Sequence, residues 1–186
     1  MLLAALFLAL VALWLWWSDR TDQSQDVPIL AAARRYGLEP ALIKAVVWRE
    51  SRFKPTVHGS AGELGLMQLQ EPAAQEWADA EHIETFDHLQ CLDPGTNTMA
   101  GTWYLRKLIR RYQKTDDPLP YALADYNAGR GNVLKWNKGA AQTNHTVFIE
   151  QIGFPTTRTY VKEVIKRYHH YLPIFGTRAG ENKSNH

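Results

Sequence analysis

Apolar residues recur at every third or fourth position through nearly all of this chain, and this spacing restricts the fold more than any other feature. The period is that of an amphipathic α-helix, whereas a half-buried strand would require strict alternation, which no segment shows convincingly. No internal repeat is present, and 186 residues suffice for one domain with a sizeable core. The pattern predicts a single all-α domain with helices at 27–36, 40–52, 72–80 (preceded by a turn from residue 66), 94–112, 118–127, 131–136, 146–151 and 157–171.

Several predicted helix ends carry matching signals. Gly37 and Gly129 follow predicted helices and are placed to act as C-caps. Asp93 followed by Pro94 is typical of an N-cap with proline at the first helical position. Residues 54–63 contain a proline and two glycines, which predicts a loop directly after the second helix.

Glu50 lies where a carboxylate is costly. Spacings of three, four and seven place it on the apolar face of the predicted helix 40–52. The other members of this face are Leu42, Ile43, Val46, Val47 and, just beyond the helix, Phe53. Apolar surroundings disfavour the anion, so the pKa of Glu50 is predicted to be raised, as a general acid for glycosidic cleavage requires. The alternative is a glutamate that simply pairs with Arg49 or Arg52.

Four sequence blocks follow Glu50-Ser51 in a fixed order. They are Gly62-Glu-Leu-Gly65-Leu66-Met67-Gln68, Asn97-Thr-Met-Ala-Gly101-Thr-Trp-Tyr104-Leu105, Tyr126-Asn127-Ala128-Gly129 and Thr157-Arg158-Thr-Tyr160-Val161. Each block is weak alone, but together and at this spacing they resemble the soluble lytic transglycosylase family, which is related to goose-type lysozyme. The resemblance covers roughly residues 26–171. It implies a lysozyme-like (goose-type) all-α domain, over residues 26–172 here, with a sugar groove across helices and loops.

The resemblance also implies a reaction. Lytic transglycosylases cleave the β-1,4 bond between N-acetylmuramic acid (MurNAc) and N-acetylglucosamine (GlcNAc) of peptidoglycan without water. One glutamate protonates the glycosidic oxygen and then takes the proton of the C6 hydroxyl, while the N-acetyl oxygen stabilises the oxocarbenium. The products are 1,6-anhydroMurNAc ends. Glu50 matches that catalytic glutamate, and the mechanism calls for no cofactor, no metal and no enzyme nucleophile; nor does the sequence contain a cluster with metal-ligand spacing.

Further residues match positions that contact the sugar in the family, and the resemblance implies substrate binding for Ser60, Met67, Gln68, Tyr126, Asn127 and Tyr160. The Tyr126 hydroxyl is expected to reach the N-acetyl group or the acid. Structural alternatives stay open for the others: Met67 as core filler, Gln68 as an amide that satisfies loop backbone groups, Asn127 as a helix-end hydrogen bond, and Tyr160 as a buried core tyrosine.

Four positions depart from the family pattern. Gly59 stands where a serine usually helps to hold the N-acetyl arm, and Ser60, one position later, is a candidate substitute. Thr156 replaces a glutamate that lies behind the catalytic one, and Gly153 replaces a proline. Glu63 stands where the family usually has alanine, either as a solvent-facing loop residue or as a second carboxylate near the groove.

Residues 1–17 form an unbroken apolar run that ends in three tryptophans among four residues. As a helix they would span roughly 25 Å, slightly less than a ~30 Å hydrocarbon core. Bulky residues precede Ser18 where a cleavage site would need small ones. We predict an uncleaved anchor in the cytoplasmic membrane, a polar tether at 18–25 and a tail at 173–186, with the domain in the periplasm. A cleaved signal peptide that releases the enzyme is the alternative.

Composition excludes some partners. The net charge of +2 gives no nucleic-acid footprint, and the single cysteine, Cys91, rules out an internal disulfide framework and is predicted to be a small core residue. Residues 162–178 are locally cationic, either as a solvated helix face or as a surface for an anionic polymer or membrane. Peptidoglycan glycan strands and the cytoplasmic membrane are the expected partners, and an envelope or secretion machinery partner is compatible with the single small domain.

Two competing functions remain open beside the transglycosylase. A muramidase would hydrolyse the same bond with water, and a second carboxylate facing Glu50 across the cleft, from Glu63 or Asp125, would favour it. A peptidoglycan-binding module without catalysis is the other. Glu50 argues against that module, because a carboxylate on an apolar face is costly to bury for structure alone.

Overall fold

The computed structural model describes residue 7 and residues 21–181, with the backbone alone for 176–181. The all-α prediction is confirmed, because the described residues contain no strand and only isolated bridges. The helices are α1 (Asp26–Tyr36), α2 (Pro40–Ser51), α3 (Glu71–Ala80), α4 (Pro94–Arg111), α5 (Pro118–Ala128), α6 (Arg130–Trp136), α7 (His145–Gln151) and α8 (Pro155–Glu181). Two short 3₁₀ helices, His88–Leu92 and Gly139–Gln142, lie where the apolar period predicted none.

Local signals set the helix boundaries as predicted. Gly37 ends α1 in the left-handed region, at φ 66°, and its N–H donates to the Ala33 carbonyl at 2.8 Å. The Asp93 side chain caps α4 by accepting from the Thr96 N–H at 2.8 Å. Gly129 ends α5, and its N–H donates a hydrogen bond to the carbonyl of the residue four positions earlier. The loop predicted after α2 is non-helical.

Helix α2 lies at the centre of the fold. Residues 41–47 are buried without interruption, so this helix is enclosed by protein rather than amphipathic in the ordinary sense. It packs most extensively against α8, and α5 packs against both α4 and α8. A second, smaller core, around Leu64, Trp77 and Cys91, lies beneath α3 and α4. The loop that follows α2 runs between these two cores.

A buried lysine ties the start and the end of the domain to α2. Lys44 is 1% exposed, and its Nζ lies 2.7 Å from Asp26 Oδ1. The rings of Tyr171 and Phe175, both on α8, lie 5.0 and 5.4 Å from the same nitrogen. The Tyr171 hydroxyl in turn donates to Asp22 Oδ1 at 2.6 Å. The charge of Lys44 is therefore matched by carboxylates from the first described segment and enclosed by aromatic faces from the last helix.

Little of the amino-terminal segment is described, whereas the last helix is described beyond its predicted end. Apart from Phe7, the predicted anchor at 1–17 lies outside the described residues, and within the described ranges no helix is both long and apolar enough to cross a membrane. Residues 21–23 of the segment predicted as a tether are helical. Helix α8 continues through Pro173 to Glu181 rather than ending at 171, and burial of Phe175 against the main core accounts for the continuation.

Candidate active site

The backbone leaves α2 abruptly and exposes the end of this helix to a cleft. Arg52 and Phe53 both have left-handed dihedrals, with φ values of 52° and 63°, so the chain reverses directly after Ser51. The loop then folds back on itself through bridges between His58 and Leu64 and between Leu64 and Leu69. The reversal places residues 59–70 opposite the last turn of α2.

Asn97 holds this loop in place from below. Its Oδ1 accepts from the Met67 N–H at 2.7 Å, and its Nδ2 donates to the carbonyls of Leu64 and Cys91, each at 2.8 Å. Gly65, at φ 76°, passes so close that a Cβ there would lie 2.1 Å from the Cys91 carbonyl oxygen. Asn97 belongs to one of the sequence blocks, but its role in bracing the loop was not predicted. A polar residue on an otherwise apolar helix face is the sequence signal that could have indicated this role.

The cleft has a volume of about 480 Å³. Its lining residues are Glu50, Gly59, Ser60, Glu63, Gln68, Leu69, Gln70, Ala73, Tyr104, Asp125, Tyr126, Asn127, Ala128 and Gly129. They come from the end of α2, the loop after it, the start of α3, the middle of α4 and the end of α5. Five of the seven residues predicted for the site thus meet in one cleft, and the two others, Met67 and Tyr160, lie buried beneath it.

Glu50 is half-buried in the cleft floor, and its Oε1 accepts a 2.6 Å hydrogen bond from the Tyr160 hydroxyl. Burial raises the pKa of Glu50 to about 7; the Tyr160 hydrogen bond and the charge of Arg49 oppose the rise, and the charge of Glu63 adds to it. The predicted elevation of this pKa is confirmed. The alternative, a glutamate that forms a salt bridge with a neighbouring arginine, is not confirmed. Arg49 pairs with Glu163 at 2.8 Å, and the Arg52 guanidinium stacks 3.5 Å above the Trp48 ring.

A hydrogen bond joins Tyr126 to the Met67-Gln68 segment. The Tyr126 hydroxyl donates to the Met67 carbonyl at 2.7 Å, so in the free protein its proton is directed at the loop and not at Glu50. Met67 is fully buried and packs against Gly101. The Gln68 amide donates to the carbonyls of Gly65 at 2.8 Å and Val57 at 3.1 Å. Gln68 and Tyr126 therefore brace the loop and at the same time form part of the cleft wall.

Ser60 and Asn127 are both exposed at the cleft. Asn127 Oδ1 accepts from the Thr157 hydroxyl at 2.8 Å, which fixes the amide against the start of α8. Tyr160, by contrast, is 1% exposed and reaches Glu50 from the protein interior. Its position means that it orients the acid from the side away from the cleft.

The two further carboxylates at the cleft differ in their surroundings. Asp125 is 2% exposed and lies 2.6 Å from Arg111 Nη1 and 2.8 Å from the Tyr112 hydroxyl, so its charge is neutralised locally. Glu63 is half-buried, and hydrogen bonds from its own backbone N–H and that of Ala61 lower its pKa. Within the described part of the chain, no group of three histidine, cysteine, aspartate or glutamate side chains could hold a metal ion.

This arrangement is suited to proton transfer. With a pKa near 7, Glu50 is partly protonated at neutral pH. Because the Tyr160 hydroxyl donates to Oε1, the acidic proton is left for Oε2. A proton held this way is available to an oxygen atom of a ligand in the cleft. Cys91, in contrast, is buried with its pKa raised to about 12 and lies outside the cleft, which agrees with its predicted place in the core.

Comparison with known proteins identifies relatives of this chain. A family model described as the transglycosylase SLT domain matches residues 27–149. The soluble lytic murein transglycosylase of Escherichia coli K12 is 33% identical over 136 residues, which cover 72% of this chain and 21% of that protein. The membrane-bound lytic murein transglycosylase F of Desulfosudis oleivorans is 39% identical over 105 residues, or 55% of this chain and 21% of that protein. The chain thus spans about a fifth of the length of the curated relatives it matches.

Solved structures show the same fold. The 70-kDa soluble lytic transglycosylase in complex with bulgecin A superposes with a TM-score of 0.76 at 28% identity, covering 89% of this chain and 26% of that chain. The lytic transglycosylase Slt of Pseudomonas aeruginosa, as an inactive glutamate-to-glutamine mutant, gives a TM-score of 0.75 at 28% identity, with 83% and 25% covered. With the family model matching well over half of its residues, this chain belongs to the transglycosylase SLT-domain family.

Proposed function

We propose that this protein is a peptidoglycan lytic transglycosylase, a lyase that cleaves the MurNAc–GlcNAc β-1,4 bond and leaves 1,6-anhydroMurNAc ends. The observation that carries the proposal is Glu50, a carboxyl group in the cleft floor with a pKa of about 7 and a tyrosine hydroxyl on one oxygen. Relatives named as lytic murein transglycosylases, soluble and membrane-bound, support the same activity.

The reaction needs one group that changes its protonation state twice. The neutral Glu50 carboxyl gives its proton to the glycosidic oxygen as the bond from C1 to that oxygen breaks. The resulting Glu50 carboxylate then takes the proton of the C6 hydroxyl as that oxygen bonds to C1, which restores the acid and consumes no water. A pKa close to the working pH serves both steps, because neither protonation state is then costly to reach.

The product decides the function. We would digest purified peptidoglycan with the wild-type protein and with Glu50→Gln and identify the ends by mass spectrometry. Anhydro ends from the wild type alone support the proposal. Hydrated reducing ends would identify a muramidase, and the absence of any product from folded wild-type protein would leave a binding module.

The muramidase stays a second candidate because of Glu63. This carboxylate lines the same cleft as Glu50 and is held in its charged form, whereas Asp125 is tied to Arg111. Inverting hydrolases use such a second carboxylate to activate water. Digestion in water labelled with heavy oxygen separates the two reactions: hydrolysis incorporates the label at the new reducing end, and transglycosylation does not.

We also propose that residues 1–17 stay attached and anchor the domain at the periplasmic face of the cytoplasmic membrane. The apolar run and its terminal tryptophans support this, and the relatives include proteins named as soluble and as membrane-bound. Amino-terminal sequencing of the mature protein and fractionation of cells test it. A mature protein that begins near Ser18 and fractionates with the soluble periplasm would mean a released enzyme instead.

A further inference from the structure

Gly59 and Glu63 share one space at the cleft. A Cβ on Gly59 would lie 2.2 Å from Glu63 Oε2 and 2.8 Å from Gln68 Oε1, both far inside contact distance. Gly59 does not have a positive φ, so its backbone conformation is open to any residue. A side chain at position 59 would therefore have to displace the Glu63 carboxylate, which occupies this space in the structure.

Glu63 is held in position but has lone pairs to spare. Its carboxylate accepts from its own backbone N–H and, through Oε2, from the Ala61 N–H at 3.0 Å, and its Oε1 has a long, 3.5 Å contact with Gln70 Nε2. A carboxylate offers about four acceptor sites. Among the described residues that line the cleft there is no lysine, arginine or histidine, so no cation at the wall competes for these sites. The carboxylate thus presents charged acceptor oxygens to whatever enters.

The position of this acceptor relative to Glu50 matters. Both side chains line the same cleft, and the negative charge of Glu63 disfavours ionisation of Glu50. Sugars of the glycan strand carry donors, namely hydroxyl groups and the N–H of each N-acetyl group. Hydrogen bonds from such donors to a carboxylate are shorter and roughly twice as strong as those between neutral groups.

We propose that Glu63 is a substrate-binding residue: its carboxylate, seated beside Gly59, accepts a hydrogen bond from an O–H or N–H donor of the sugar next to Glu50 and so holds the scissile bond against the acid. The proposal rests on the proposed function, because it takes the ligand of the cleft to be a glycan strand. Glu63 thereby accepts the hydrogen bond that a short polar side chain would accept if position 59 carried one.

The first test replaces the charge and keeps the shape. In Glu63→Gln the amide oxygen still accepts from the Ala61 N–H, so the loop stays intact while the charged acceptor is lost. We expect kcat/KM on peptidoglycan to fall about tenfold, mostly through KM, with an unchanged melting temperature. The alkaline limb of the pH profile should also move to lower pH, since Glu50 loses a neighbouring negative charge. Glu84→Gln, at an exposed position outside the cleft, is the matched control.

The second test uses the shared space. Gly59→Ser should be impaired in the presence of Glu63, because the new side chain displaces the carboxylate from the position in which it would bind the sugar. When it is combined with Glu63→Ala the overlap with the carboxylate is absent, and the Gln68 amide oxygen, 2.8 Å away at the end of a side chain, is the group that must still shift. The serine hydroxyl then supplies an acceptor, so the double variant should recover activity above Glu63→Ala alone. Equal losses from Gly59→Ser in both backgrounds would contradict the shared space.

A binding measurement separates this proposal from the proposed reaction. In the Glu50→Gln background, calorimetry with a tetrasaccharide of alternating GlcNAc and MurNAc reports affinity without turnover. We expect adding Glu63→Gln to weaken binding about tenfold. Unchanged affinity, or a Glu63→Gln variant whose only defect is a lower melting temperature, overturns the role of Glu63. Hydrated instead of anhydro products from the wild type would overturn the proposed reaction. The affinity measurement would then still test the role of Glu63 in substrate binding.

Discussion

The Tyr160 hydroxyl donates a 2.6 Å hydrogen bond to Glu50 Oε1 across 110 residues of sequence. It joins α8 to the last turn of α2, and these two pack more extensively than any other pair of the described helices. The bond leaves one carboxyl oxygen facing the cleft and occupies the other from within. It also favours the charged form of Glu50, so it moderates the elevation of the pKa that burial causes.

Replacing Tyr160 by phenylalanine should therefore change the pH dependence of activity. Loss of the hydrogen bond raises the Glu50 pKa further, so the alkaline limb of the kcat/KM profile is expected to move to higher pH. The maximal rate should fall about tenfold, because the acid loses its orientation. Tyr168→Phe, on the same helix and away from Glu50, is the control. A Tyr160→Phe variant with a wild-type profile would show that the bond does not orient the acid.

Glu50→Gln should abolish cleavage and keep the fold. Glutamine is nearly isosteric and can still accept from the Tyr160 hydroxyl, but it cannot exchange a proton with the substrate. General acid–base catalysis contributes about 10²- to 10⁴-fold, and here one group supplies both proton transfers. Release of soluble muropeptides and circular dichroism on the same preparation measure the two effects. Digestion at near wild-type rate would refute the mechanism.

The same substitution should alter how stability depends on pH. The folded-state pKa of Glu50, about 7, lies above its unfolded value of 4.5, so the folded protein binds this proton more tightly. The resulting destabilisation is absent below pH 4.5, grows between 4.5 and 7 and is constant above that. Over this window the free energy of unfolding of the wild type should fall by on the order of 3 kcal/mol relative to Glu50→Gln. Denaturant melts of both proteins from pH 4 to 8 measure the difference; parallel curves would mean that the carboxyl is not buried in solution.

Tyr126→Phe is expected to affect both turnover and stability. The Met67 carbonyl loses its donor, at a cost of about 1 to 2 kcal/mol, and the loop that carries Gln68 is held less firmly. We predict that turnover falls by more than this stability loss accounts for, because the hydroxyl lies at the cleft. The melting temperature and the rate per folded molecule must be measured together. Unchanged turnover with a clearly lower melting temperature would limit Tyr126 to bracing the loop.

Lys44→Met should be strongly destabilising. It leaves Asp26 buried without the cation 2.7 Å away, and breaking a buried pair in this way costs about 3 to 5 kcal/mol. Lys162→Met is a matched control, because Lys162 pairs with Glu150 at 3.0 Å with both side chains more than half exposed. Loss of that exposed pair should cost about 0 to 1 kcal/mol. Similar unfolding free energies for the two variants would contradict a structural role for the buried pair.

The sequence by itself determined the helices and the unusual placement of Glu50. An apolar period of three to four is a local property, so α2 could be predicted within one residue and Glu50 placed in line with its apolar residues, with the raised pKa that follows. Caps at Gly37 and Asp93 were readable for the same reason. The short 3₁₀ helices carried too few turns for a period to appear, and the continuation of α8 past Pro173 depends on packing of Phe175 that no local rule supplies.

Tertiary structure alone decided what surrounds the acid. Tyr160 reaches Glu50 and Asn97 holds the Met67 loop only because elements distant in sequence meet at particular positions. Glu63 lines the same cleft as Glu50 because the loop after α2 folds back on itself. Side-chain spacing along one helix says which face a residue lies on, but the atom it meets depends on the relative placement of two elements. The placement of Glu50 among apolar residues is thus readable from the local sequence. Its partner Tyr160 and the neighbouring charge of Glu63 depend on how the chain packs.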